Sequence, residues 1–439
     1  MKSSHLRLLL SLHSSSSNTS ANTTTTTTTT PAATGTTTAS TITLPKSASS
    51  VFSYTHRLQS VVNQIRRSTA HWLFSNVLVG EHSLIRYLDS FRHMFLLGYG
   101  DLASNFIDAS DLWRRRTLQN DTNKNKKRVS SSGSEEHRNE MIFRHQEFNA
   151  LLAKASVGTD AEDRLEGYSV RLATSKQSPF DDLLLVDGYC TLKYDMRWPI
   201  DLFLGQAELG RYSELWSFLI GLKNVQTTLS KLWRVLRESS EKDKDERMLW
   251  RLRAQMLYWV GSLWGHVQAN VIRTHYQRLL ATMTSPEHRQ DHDFEELQEA
   301  HGEYLDSVMR GCLLLSRSCS ETMHQTLRTC LAFCELVERA AEDDGGWLRS
   351  KRRRTASGDK TAAEIVQAWT EDRAAEPGLY AWRDQVSRLE ESFVASTSRF
   401  FGLVSNQPQH VKVDGHLDLL LMQLDYNEWY SAHRVRPVS

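Results

Sequence analysis

The sequence predicts a mainly α protein of helical bundles, and three observations carry that expectation. Apolar residues recur at three and four residue steps through most of the chain. Only eight prolines and 21 glycines punctuate 439 residues, few for a fold built on tight turns. One short segment alternates as a strand does, Thr191 to Met196, and strands do not alternate with helices as a parallel sheet requires.

The elements follow in order. Residues 1–50 are Ser/Thr-rich, with an unbroken threonine run from Thr23 to Thr30, and are expected to be disordered. No acid precedes Glu81, while Lys2, Arg7, Lys46 and Arg57 are present, so a mitochondrial leader stands beside the reading as a plain polar tail. From Val51 onward a helical domain is expected. Leu84, Leu88, Phe91 and Phe95 form a helical stripe that Gly98-Tyr99-Gly100 breaks. Residues 114–140 and 343–377 read as polar insertions. Between them lie a helix near 140–155, a loop to Pro179, and one β element near residues 190–197. Trp198-Pro199 then ends the strand, because proline holds its predecessor extended and cannot donate in a ladder. Leu202, Phe203 and Leu204 are expected to anchor the following turn in the core, and Trp198→Ala serves as a fold control. Helices are expected from there to Trp233, over 248–283, 293–317, 321–341, 380–403 and 417–430.

Charge is balanced, with 53 basic against 52 acidic residues, which gives no whole-chain electrostatic case for a nucleic acid or membrane partner. Five cysteines, Cys190, Cys312, Cys319, Cys330 and Cys334, form no secretory framework. Cys330 and Cys334 share a helix face. Two further ligands from Cys312 and Cys319 would be needed for zinc, yet all four continue apolar stripes, so buried core cysteine is expected and no metal. Gly98-x-Gly100-x-x-Ala103 matches a dinucleotide fingerprint, but its predecessor has helical spacing, so a helix–helix turn is expected and no cofactor. His301 stands among acids without a metalloprotease spacing and is expected to pack within its bundle. The basic run Arg349 to Arg354 reads as a solvated loop or a localisation signal. No catalytic constellation is present in the sequence, and the chain is read as no enzyme.

Several blocks in order resemble the gamma-tubulin complex component family. They are Leu96-Leu97-Gly98-Tyr99-Gly100-Asp101-Leu102; Trp198-Pro199-Ile200-Asp201-Leu202-Phe203; the helix through Tyr212, Leu219, Leu229 and Trp233; Trp250-Arg251-Leu252-Arg253; Asp293-Phe294 with Ala300-His301 and Tyr304; and Leu424-Asp425-Tyr426-Asn427 with Trp429-Tyr430. Departures are Gly265-His266, where the family has paired aromatics, and Asn270 in place of an aspartate. The stop after the terminal helix is like that of the family's fourth, smallest component. The first conserved domain, which makes lateral contacts in the family, is not recognisable, and residues 1–50 stand in its place.

The resemblance is to the family's second, C-terminal domain. It implies a gamma-tubulin-binding adaptor without catalysis or cofactor, working with other gamma-tubulin complex components. Such an adaptor would support microtubule nucleation at a cytoplasmic organising centre, the centrosome or spindle pole. Arg251, Arg253, Asp425, Tyr426, Asn427 and Trp429 are the expected tubulin contacts, each weighed against an intramolecular cap or salt bridge. The alternative class is a mitochondrially targeted helical enzyme or zinc-binding protein.

Overall fold

The computed structural model describes residues 46–72, 84–124, 134–173, 176, 178–185, 188–198, 200–237, 244–284, 294–342 and 362–434. The leader before Lys46, Pro199 and the basic run 349–354 lie outside them. The chain divides into two units, Met1–Asn63 and Gln64–Ser439. Of the first, residues 46–63 belong to helix α1 (Lys46–Trp72), on which Leu58, Val61 and Val62 are exposed.

The second unit opens with α2 (Leu84–Met94) and α3 (Gly100–Lys124). The turn between them needs Leu97 in the left-handed region, with φ 56°, and a glycine next to it. A Cβ on Gly98 would meet His93 Cδ2 at 2.8 Å, so Gly98 lets the chain fold back tightly over the last turn of α2. The glycine pair therefore makes a helix–helix turn, as its helical context predicts.

Helix α4 (Ser134–Ser156) leads to an antiparallel hairpin of β1 (Tyr168–Ala173) and β2 (Tyr189–Tyr194). The register pairs Tyr168 with Tyr194, Val170 with Leu192 and Leu172 with Cys190. The first strand is an addition to the single β element read from sequence. Its outward amides are satisfied by α4: Val170 N donates to Asn149 Oδ1 at 2.7 Å and Leu172 N to His145 Nδ1 at 3.0 Å. Side chains thus cap an edge that would otherwise be open.

Helix α5 (Gln206–Arg237) is the central element, and Leu215 to Leu222 are buried around its whole circumference. It lies along β2, where Ser213 Oγ donates to Leu192 O at 2.6 Å. Phe91, Phe95, Tyr168, Tyr194 and Tyr212 join α2, the hairpin and α5 in one aromatic cluster, with centroids of 4.7–6.3 Å. Phe203 and Leu204 are buried beside it, and Leu202 half-buried. Trp198 corrects the expectation: it is 61% exposed, so it anchors no core and its alanine variant is no fold control.

The long helix predicted after α5 is present with an interruption. Helix α6 (Lys244–Gly265) passes into a π-helical segment (His266–Ile272) and then α7 (Arg273–Thr284). The sequence's departures, Gly265-His266 and Asn270, fall at this segment, and His266 is buried within it. Helices α8 (Phe294–Gly311) and α9 (Arg317–Glu342) follow.

Helix α10 (Ala362–Ser405) begins well before the predicted Tyr380. Its first half, rich in Ala and Glu, holds enough helix formers to overrule its polarity. Helices α3 and α4 likewise reach into the predicted insertion at 114–140. Helix α9 packs on α10, and Cys330, Phe333 and Val337 of the first and Val386 and Phe393 of the second are buried. All five cysteines are buried free thiols, and Cys330 sits in the core as its stripe predicts. Among the described residues no group of His, Cys, Asp and Glu is arranged to hold a metal, and no helix is long and apolar enough to cross a membrane.

After the short α11 (Gln409–Asp414), two short helices, α12 (Leu417–Leu424) and α13 (Trp429–Arg434), replace the continuous terminal helix predicted from Leu417 to Tyr430. Leu417, Leu420 and Leu424 are buried against α6 and α10. The left-handed His416 (φ 50°) and His275, with ring centroids 6.0 Å apart, mark where α11 and α12 meet α7.

Candidate protein-binding face

The six residues predicted as contacts separate into two groups. Arg253 is structural. Its Nε donates to Leu229 O at 2.8 Å and its Nη2 to Ser230 O at 3.3 Å, tying α6 to α5. Burial lowers its pKa, as expected for a guanidinium turned away from solvent. Asp425 is a cap: its Oδ1 accepts from Tyr430 N at 2.8 Å and Ser431 N at 3.3 Å, and its Oδ2 from the Ser431 hydroxyl. It therefore terminates α12 and starts α13 at once.

Arg251, Tyr426, Asn427 and Trp429 remain on the surface. Arg251 is paired with Glu390 of α10 at 2.7 Å but is itself 60% exposed. Tyr426 is 81% exposed, and Asn427 is exposed beside it. Trp429 stands edge-on to Tyr430 at 4.8 Å, while Tyr430 stacks on Phe401 at 4.9 Å. The stacked Tyr430 fixes α13, which leaves Trp429 at the rim.

Sequence reasoning missed the residues that complete this face. Leu419 and Met422 are 47% and 71% exposed. The two are three residues apart and share the outer side of α12, and the exposed Tyr426 follows in the turn just beyond its end. Tyr258 of α6 donates its hydroxyl to Gln423 O and is half exposed. It lies seven residues from Arg251, so the two share a side of α6. The signal was present: α12 carries more apolar residues than one buried stripe uses, and the surplus had to face outward.

Exposed Met and Tyr beside an arginine is the composition of a protein-contact surface. A 590 Å³ cleft between α2 and the hairpin sets Arg86, Arg164 and Arg197 against Asp89, Glu166 and Asp195. Its charges balance, and the three arginines are all solvent-exposed.

His301 is likewise no catalyst. It is 1% exposed, 3.0 Å from the Tyr212 hydroxyl, and held near pKa 3 by burial and by the charge of Arg211. The sequence placed it within its bundle, and there it is.

The scaffold is helical, and its exposed apolar and aromatic face is the candidate site. The family description "Gamma tubulin complex component C-terminal" matches residues 84–430, and the chain belongs to that family. It is similar to gamma-tubulin complex component 4 of Homo sapiens, with 24% identity over 383 residues, covering 85% of this chain and 50% of the relative. A Medicago truncatula homologue of component 4 is 29% identical over 211 residues, covering 43% of this chain and 27% of its own. The Schizosaccharomyces pombe spindle pole body component alp4 is 23% identical over 196 residues, covering 42% and 24%. This chain thus spans about half the length of the curated component 4 relatives it matches along most of its own.

Proposed function

We propose that this chain is a non-enzymatic adaptor that holds gamma-tubulin and, with other gamma-tubulin complex components, supports microtubule nucleation at an organising centre such as a spindle pole. The observation that carries the reading is family membership from residue 84 to residue 430, which takes in the whole C-terminal face. Nucleation needs no bond to be made or broken. It needs tubulin subunits held side by side, so that the first lattice contacts form at high effective concentration. A rigid helical module presenting an aromatic face suits that task, because a preorganised surface loses little entropy on binding. Within the face, Met422, Tyr426 and Trp429 are the proposed anchors, with Arg251 and Asn427 as polar contacts and Asp425 as the cap that positions them.

The test is co-sedimentation of the full chain with gamma-tubulin. A stoichiometric complex is expected, weakened about tenfold or more by Tyr426→Ala with Met422→Asp, since interface anchors typically contribute 2 kcal/mol or more. Both side chains are exposed, so the thermal transition should not move. A folded chain that fails to bind at micromolar concentration would refute the adaptor reading. Binding that ignores both substitutions would move the contact elsewhere.

A further inference from the structure

Helix α5 carries a second surface of different chemistry. Its C-terminal half reads Lys223 to Arg237 with four cations and no acid. In a chain balanced at +1 overall, that is a local concentration of charge. Lys223, Gln226, Thr227, Ser230, Lys231 and Arg234 follow one another at steps of three and one, so they lie on one helix face. With Trp233 they line a shallow groove of about 390 Å³, and no carboxylate lines it among the described residues. The face from Lys223 to Arg234 is about 16 Å long at the α-helical rise.

The cations here are held in place with room for more partners. Lys223 Nζ rests 5.0 Å from the centroid of Trp264 and bonds Gln226 Oε1 at 3.1 Å, both neutral groups. Burial lowers its pKa, so its charge is partly desolvated without a counter-ion. Arg237 lies over the Trp233 ring at 5.4 Å, leaving that indole 39% exposed. Lys231 meets Asp108 of α3 at 2.6 Å, in a pair that is about half exposed and therefore weak.

We propose that this groove docks an acidic helical segment of a protein partner, its carboxylates meeting Lys223, Lys231 and Arg234 and one apolar side chain resting on Trp233. Charge complementarity selects the occupant. The partly buried, indole-backed Lys223 and the shortness of the face suit carboxylates one helical turn apart. A nucleic acid track would need a longer basic stripe. The surface is separate from the C-terminal face, where Met and Tyr predominate, and the proposal stands whether or not that face holds gamma-tubulin.

The experiment is fluorescence anisotropy of the full chain with a labelled helical peptide that carries glutamates one turn apart around a leucine. A glutamine-for-glutamate peptide and a single-stranded RNA of similar length serve as comparators. The acidic peptide should bind, more weakly as salt rises, and the glutamine peptide should not. Arg234→Glu with Arg237→Glu should weaken binding about tenfold, as reversing one exposed contact and the cation over Trp233 implies. Lys223→Gln should weaken it independently. Arg234 and Arg237 are exposed, so the melting temperature of the first variant should stay at the wild-type value. Equal binding of the glutamine peptide, tighter binding of the RNA, or indifference to both variants would overturn the proposal. Gamma-tubulin co-sedimentation of the Arg234/Arg237 variant should be unchanged, so failure of one reading is read separately from failure of the other.

Discussion

His301 makes the stability of this fold depend on pH in a window set by its own burial. It sits among Phe203, Tyr212 and Tyr304, with ring centroids of 5.7, 5.9 and 6.1 Å. In the native state it titrates near pH 3. In the unfolded chain it should titrate at the ordinary imidazole value of about 6.5. The native pKa is the lower one. Between the two values the unfolded chain therefore binds a proton that the native protein refuses, and stability falls as pH falls through 6.5. At about pH 5 the loss is 1.5 units at 1.36 kcal/mol each, or about 2 kcal/mol. His266, lowered to about 4 by burial and the neighbouring His416, adds a similar loss in the same window. Urea unfolding followed by circular dichroism at about pH 7.5 and pH 5 measures the sum, with an unchanged m-value as the two-state check. His301→Gln keeps a hydrogen-bonding partner for the Tyr212 hydroxyl and removes the titration. Its own drop between the two pH values should be smaller by about 2 kcal/mol. An equal drop in variant and wild type, or an NMR titration of His301 near 6.5 in the folded protein, would refute the reasoning.

Other outcomes follow from packing. Gly311→Ala should destabilise by about 1–3 kcal/mol, because the new Cβ would lie 2.5 Å from Val271 Cγ1. Gly261→Ala, with open space at the same atom, should stabilise by about 0.5–1 kcal/mol; thermal melts separate the two. Trp198→Ala should cost under about 1 kcal/mol as an exposed site, whereas Trp259→Ala, 2% exposed, should cost about 3–5 kcal/mol in the same denaturation assay. Asp425→Ala should cost about 1 kcal/mol through the lost cap and should also loosen Tyr426 and Trp429, which hydrogen exchange at α13 would report. Acid stability below about pH 4 should depend on Asp182. Burial alone would raise its pKa, but His324 and Lys176 outweigh that and hold it near 2, so its contribution is lost as pH falls from 3.8 towards 2.

Periodicity made the helices legible because most bury a stripe, and the stripes of α2 and α9 are clean. Strand β1 was missed although Tyr168, Val170 and Leu172 alternate, because a strand of that length declares itself only through its partner. The break at Asp425 was also written in the chain: an aspartate four residues ahead of Trp429 is a capping signal that the apolar run before it concealed. Trp198 was not legible. A tryptophan before proline reads the same whether its ring enters the core or stays outside. Of the six contact residues chosen, Arg253 and Asp425 were drawn into bonds with α5 and α13, and Arg251 into an exposed pair with Glu390 of α10. Leu419 and Met422 were overlooked because apolar residues on a helix are ordinarily assigned to its buried side.

The π segment between α6 and α7 gives this helix an unusual tolerance. A π turn holds one residue more than an α turn, and each residue in a helix turns its successors by about 100°. Upstream, Leu252, Met256, Val260 and Leu263 are buried; downstream, Tyr276 and Leu279 are. Both sets reach the core only because the extra residue resets the phase between them. A substitution at the exposed Ala269 leaves that phase intact. Deleting a single residue there would restore a regular α-helix and swing one of the two sets out to solvent. Along this stretch, the number of residues constrains the protein more tightly than their identity.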